Sequence, residues 1–260
     1  MMTMRVVSVA ALAALGMAQT VAGDTGFLDR TVSVGGHSYR YQVYVPPDYG
    51  TTTMWPVVMA YGDSLTAGEI TAPVAATGTA RKLVIVPGKS YPDILQSELK
   101  TAYPSQAASI SVANMGRGAE TIFDGILRFE DVFPSSRAEV VLLQEGVNGL
   151  TVAGPDGSTA LMRSMVQEAK NGGATVFVGS MIPTLANRQR TQNATALVAY
   201  DSVLETMCVQ EGVAYVDLYN GMLADADRLI GVDGLHPNEA GYQRIADLFF
   251  RAIQSELQVR

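Results

Sequence analysis

Two short stretches of the chain carry side chains whose types and spacing suit acyl transfer. Gly62-Asp63-Ser64-Leu65 places a serine where an apolar run, residues 56–60, gives way to a helix start. A hydroxyl there projects from a tight turn, and amide N–H groups at the helix N-terminus can serve an oxyanion developing beside it. Near the other end, Asp233-Gly234-Leu235-His236 sets a carboxylate three residues ahead of an imidazole. In a turn, that carboxylate can accept from Nδ1–H and leave Nε2 free to take a hydroxyl proton. Between the two, Asn114-Met115-Gly116-Arg117-Gly118 offers small residues that let backbone N–H groups approach a ligand, and Gly146-Val147-Asn148-Gly149 puts a side-chain amide just past an apolar run. Each stretch taken alone has a plainer use: Asp63 or Ser64 as a helix cap, Gly116 in a bare turn, Asn148 in an Asn-Gly turn, and Asp233 to His236 as a surface loop before a helix.

The remaining candidates are few. The two histidines are His37 and His236, which limits imidazole chemistry to two positions and is too few for a His-rich metal site. His37, beside Ser38 and Tyr39 with no carboxylate upstream, reads as a surface strand residue. The single cysteine, Cys208, excludes an internal disulfide and reads as a small core residue.

The elements that must position these residues follow from periodicity. Near-continuous apolar runs at residues 56–60, 109–114, 138–143, 174–179 and 214–218 suit strands buried on both faces, and so a parallel sheet. Amphipathic stretches near residues 91–101, 120–129, 159–170, 194–210 and 238–257 alternate with them as helices. The alternation predicts a three-layer α/β/α sandwich, in which working residues lie in loops beyond the carboxyl ends of the strands. Ahead of it, residues 30–45 read RTVSVGGHSYRYQVYV, two period-two runs about Gly35-Gly36, which is a hairpin signal. Residues 6–17, VVSVAALAALGM, follow Arg5 and contain nothing ionisable, as the core of a secretory signal does. The expected organisation is a signal peptide over residues 1–23, a β-ribbon extension over 24–54 and a catalytic domain over 55–260. Such a chain would be secreted or periplasmic, with no membrane span once the signal is removed.

Composition narrows the function classes. Of 260 residues, 48% are hydrophobic and 17% charged, a globular balance. The formal net charge of −7 repels phosphate backbones, so nucleic acid is not an expected partner. Nothing in the sequence sets the oligomeric state.

Taken together and in this order, Gly62-Asp63-Ser64-Leu65, the Gly116 turn, Gly146-Val147-Asn148 and Asp233-Gly234-Leu235-His236 resemble the SGNH, or GDSL-type, hydrolases over about residues 55–260. The resemblance implies a flavodoxin-like three-layer fold on a five-stranded parallel sheet. It further implies Ser64 as nucleophile, His236 as base and Asp233 as its orienter, with an oxyanion hole from the backbone N–H groups of Ser64 and Gly116 and the side-chain amide of Asn148. One departure stands out: the third motif usually reads Gly-x-Asn-Asp, whereas Gly149 follows Asn148 here, so the loop that carries Asn148 lacks its usual acidic brace. The ribbon is similar to the opening strands of secreted α/β-hydrolase esterases, yet the G-x-S-x-G elbow of those enzymes is absent from this chain.

The function expected from the resemblance is a cofactor-free serine esterase acting on short-chain acyl esters, either small molecules or glycan-linked, through an acyl-enzyme. A carbohydrate O-deacetylase, a lysophospholipase or thioesterase, an acyltransferase, and a non-catalytic ligand-binding module share the same pattern.

Overall fold

The structure, a computed structural model, describes residues 26–34, 37–45, 57–72 and 82–257. The expected signal peptide lies outside the described residues. The chain forms two units, one within residues 1–54 and one within 55–260. In the first, β1 (Gly26–Val34) pairs antiparallel with β2 (His37–Val45), in a register that sets Val34 opposite His37.

The second unit is built on a five-stranded sheet of β3 (Val57–Gly62), β6 (Ser111–Gly116), β7 (Val140–Gln144), β8 (Thr175–Gly179) and β9 (Ala214–Val216). All its pairings are parallel, and the spatial order is β6-β3-β7-β8-β9. This is the flavodoxin-like order, which reverses direction between β3 and β7 and leaves a crevice at their carboxyl ends. Burial on both faces explains the composition of the central strand: every residue of Val140–Gln144 is buried.

Helices cover the sheet. They are α1 (Ser64–Ala67), α2 (Tyr91–Ala102), α3 (Ile122–Ser136), α4 (Leu150–Asn171), α5 (Ala194–Glu211), α6 (Leu218–Leu223), α7 (Ala226–Leu229) and α8 (Glu239–Leu257). α2 packs against α8, while α3, α4 and α5 pack in series. Tyr91 of α2 stacks on Phe249 of α8 at 5.2 Å, joining two helices, and Tyr61 of β3 meets Phe129 of α3 edge to face at 5.0 Å, joining a helix to the sheet. A short antiparallel pair, β4 (Glu69–Thr71) and β5 (Leu83–Ile85), follows α1.

The five strands and the principal helices expected from periodicity are present, with three differences. Leu218 begins a helix instead of ending β9, because Asp217 Oδ1 accepts from the N–H of Asn220 at 2.9 Å and caps it. The stretch 150–158 is helical, with the break confined to Gly154 at φ 67°, after which Pro155 restarts the helix. β4 and β5 were not apparent in the sequence, being three residues each. Cys208 is buried, and burial pushes its thiol up to about 12, in keeping with a core role.

Candidate active site

Ser64 is the first residue of a four-residue helix that starts two residues beyond the end of β3. Asp63 caps it, its Oδ1 accepting from the N–H of Leu65 at 2.9 Å, which fixes the turn and aims the Ser64 side chain off the carboxyl edge of the sheet. Asp63 is sealed from solvent, and its Oδ2 has no hydrogen-bond partner among the described residues. Burial raises its carboxyl to about 7, against the lowering effect of the Leu65 amide.

The second half of the site comes from the loop between α7 and α8. Asp233 Oδ1 accepts from the N–H groups of Leu235 and His236, both at 3.0 Å, so the turn is closed by the carboxylate itself. The other oxygen, Oδ2, accepts from His236 Nδ1 at 2.7 Å. Neighbouring segments strap the loop: the Gly231 N–H donates to the His236 carbonyl at 2.7 Å, the Leu185 N–H to the Gly234 carbonyl at 2.9 Å and the Arg190 N–H to the Asp233 carbonyl at 2.8 Å. Burial alone would raise the Asp233 carboxyl, but the His236 hydrogen bond and the two amides outweigh it and hold it at about 2.

The two halves meet. His236 Nε2 lies 2.9 Å from Ser64 Oγ, across 172 positions of chain, and Ser64, Asp233 and His236 are all buried. With Nδ1–H held by a carboxylate, Nε2 is the acceptor side of the ring, and a hydroxyl at that distance can pass it a proton.

Asn148 follows β7 and lies on the same edge of the sheet. Its Nδ2 donates to the Glu120 carbonyl at 3.0 Å, which uses one of the two amide hydrogens, and its own carbonyl accepts from the Ile122 N–H at 3.3 Å. These bonds replace the missing acidic brace. Gly149 takes φ 107°, a backbone setting that strains any residue with a Cβ, so an aspartate would not fit its place without cost.

Gly116, the remaining residue expected at the oxyanion hole, ends β6. Its N–H donates to Asn114 Oδ1 at 2.9 Å, and a Cβ on it would come within 2.0 Å of the Ala67 backbone nitrogen. Gly116 therefore lets the end of β6 lie flush against α1, and its N–H is already occupied.

Other groups packed around the site carried no signal in the sequence. Glu120 is sealed from solvent and is held by Arg128, which donates to it through Nε and Nη2, reaches the Gly62 carbonyl at 3.3 Å and lies 4.1 Å over the Tyr61 ring. Arg190 Nε stands 3.7 Å from Asp233 Oδ2. Glu69 Oε2 stands 4.0 Å from His236 Nε2. Among the described residues no group of His, Cys, Asp and Glu is arranged to hold a metal ion.

Comparison with known proteins gives the family and the fold. Residues 60–244 match the family described as GDSL-like lipase/acylhydrolase. No curated protein matches the sequence. Among solved structures, a lipase/acylhydrolase from Enterococcus faecalis superposes with a TM-score of 0.63 at 19% identity, over 80% of this chain and 99% of that one. The acetyl xylan esterase AlAXEase gives a TM-score of 0.59 at 22% identity, over 76% of this chain and 99% of its own. A catalytic mutant of an acetylxylan esterase from Geobacillus stearothermophilus gives 0.59 at 20% identity, over 76% and 94%. At these identities the structural likeness speaks for the fold.

Proposed function

The chain belongs to the GDSL-like lipase/acylhydrolase family and is a carboxylic ester hydrolase, and from that premise we propose that it is a serine esterase for short-chain acyl esters, with Ser64 as nucleophile, His236 as general base and Asp233 as the group that orients the imidazole. The observation that carries this reading is the unbroken run of hydrogen bonds from Asp233 Oδ2 through His236 to Ser64 Oγ.

In the first step His236 Nε2 takes the Ser64 proton as Oγ bonds to the acyl carbon, and the carbonyl electron pair moves to oxygen. The ion pair with Asp233 stabilises the imidazolium, which then gives its proton to the departing alcohol as the C–O bond breaks. Water, deprotonated by the same nitrogen, attacks the acyl-enzyme and releases the acid with Ser64 restored. The oxyanion is received by the Ser64 N–H and the second hydrogen of Asn148 Nδ2. Gly116 joins them only if its N–H exchanges Asn114 Oδ1 for the oxyanion.

Short acyl groups suit the small and apolar residues of stretches 69–89 and 150–158, which follow Ser64 and Asn148 in the chain. The names of the two acetylxylan esterase neighbours favour an O-deacetylase as the second reading, so acetylated xylan belongs in the assay beside simple esters. In the same proposal residues 1–23 are a cleaved export signal, 24–54 a ribbon extension and 55–260 the hydrolase domain, which places the enzyme outside the cytoplasm. No helix among the described residues is long and apolar enough to cross a membrane.

The test is Ser64→Ala, which should lower kcat/KM for a short-chain ester by roughly 10³-fold or more while circular dichroism stays unchanged. Turnover retained in a folded variant would rule Ser64 out.

A further inference from the structure

Glu69 stands beside the reacting atoms without a part in the hydrolysis described above. It opens β4, opposite Ile85 of β5, and its carbonyl accepts from the Tyr242 hydroxyl at 2.7 Å, so its backbone is pinned. Its Oε2 lies 4.0 Å from His236 Nε2, the nitrogen that meets Ser64 Oγ at 2.9 Å. Its Oε1 occupies the space where a side chain on Gly118 would begin, 2.1 Å from an ideal Cβ. The carboxylate is thus lodged between the base and the turn of residues 117–120.

The neighbouring carboxylates are otherwise engaged. Asp233 is bonded to His236 with Arg190 at 3.7 Å, Glu120 is held by Arg128 with Arg117 at 3.7 Å, and Asp63 is sealed in the interior with Oδ1 on the Leu65 amide. Glu69 alone of these reaches solvent without a lysine or arginine in salt-bridge distance among the described residues, its side chain being 19% exposed. A partly buried carboxylate with no lysine or arginine beside it exerts a stronger field on a docking charge than it would in bulk water.

We propose that Glu69 is a specificity-determining residue that receives a cationic group carried by the substrate beside the scissile ester and disfavours anionic esters. The inference rests on Ser64 being the nucleophile. The two are separable, because Ser64→Ala is read as loss of turnover on a neutral ester, whereas Glu69 is read as a ratio between two esters turned over by the same machinery.

The experiment compares kcat/KM for acetylcholine with kcat/KM for 3,3-dimethylbutyl acetate, which has the same shape without the charge. The wild-type enzyme should favour the cationic ester by about tenfold at low salt. That preference should shrink as sodium chloride is raised through 0.5 M or so. In Glu69→Gln the ratio should fall to near unity, and Glu69→Asp should restore part of it. Taking the ratio cancels any effect of the substitutions on the shared chemistry. Equal rates for the two esters in the wild type, or a preference that survives Glu69→Gln, would overturn the proposal. If Glu69→Gln does not fold, the salt series decides alone, and a preference that ignores ionic strength would overturn it.

Discussion

Arg128 shows how much of a site can depend on a residue outside its chemistry. Glu120 is buried with its carboxylate on the Arg128 guanidinium, and the carbonyl of the same residue accepts from Asn148 Nδ2. Arg128→Ala would strand a buried carboxylate, so it should lower the unfolding free energy by about 3 kcal/mol in urea titrations. A loss under about 1 kcal/mol would mean that solvent screens the pair. Nothing in the sequence pointed to this ion pair, because its partners are eight positions apart and each looks ordinary on its own: a glutamate near a helix start, an arginine on an amphipathic helix. Ser64, Asp233 and His236 were legible for the opposite reason, since each local device is complete within four residues. Gly116 was read by its smallness, which cannot reveal that Asn114 takes its N–H. Glu69 lies in a stretch where no period marks an inward-facing side chain.

At the level of elements, apolar runs located the sheet because strands buried on both faces leave that signature, and the parallel order followed from their alternation with helices. The ends of elements were less legible, being set by single hydrogen bonds and dihedral angles. Gly-Pro-Asp-Gly at 154–157 reads as a loop, yet Pro155 fits the first turn of a helix and only Gly154 leaves helical geometry. Gly149 is the sharper case. It caps α4 at φ 107° and ψ −12°, with its carbonyl accepting from the N–H groups of Val152 and Ala153. Gly149→Asp would restore the usual motif on paper, but it should cost about 2 kcal/mol of stability through backbone strain. It should bring no gain in kcat, because Asn148 is already braced by residues 120 and 122. Thermal melts and steady-state rates on the variant check both parts, and a rise in kcat with an unchanged melting temperature would contradict them.

Across the whole molecule, buried carboxyl groups set the response to pH. Burial raises Asp63 and Asp201 to about 7 and raises Glu145 well above its ordinary value, so between about pH 4 and 7 the folded state holds protons that the unfolded chain has released. Stability from these groups is full at low pH and is lost as pH rises. Asp233 works in the other direction: held at about 2, it contributes stability above about pH 4 that is lost as pH falls towards 2. Unfolding free energy from urea titrations should therefore peak near pH 4 to 5 and decline towards pH 8. Asp201→Asn should flatten part of that decline, since the amide oxygen can still accept from the Met181 N–H that Asp201 Oδ1 holds at 2.7 Å. A stability that climbs steadily from pH 5 to 8 would contradict this. The proposed chemistry depends on one hydroxyl being activated by an imidazole from the far end of the chain. The most direct measurement is covalent labelling with an alkyl fluorophosphonate followed by peptide mass spectrometry. A single adduct on Ser64, abolished in His236→Ala, is the expected result; an unlabelled native protein, or an adduct on another residue, would contradict the assignment of the nucleophile.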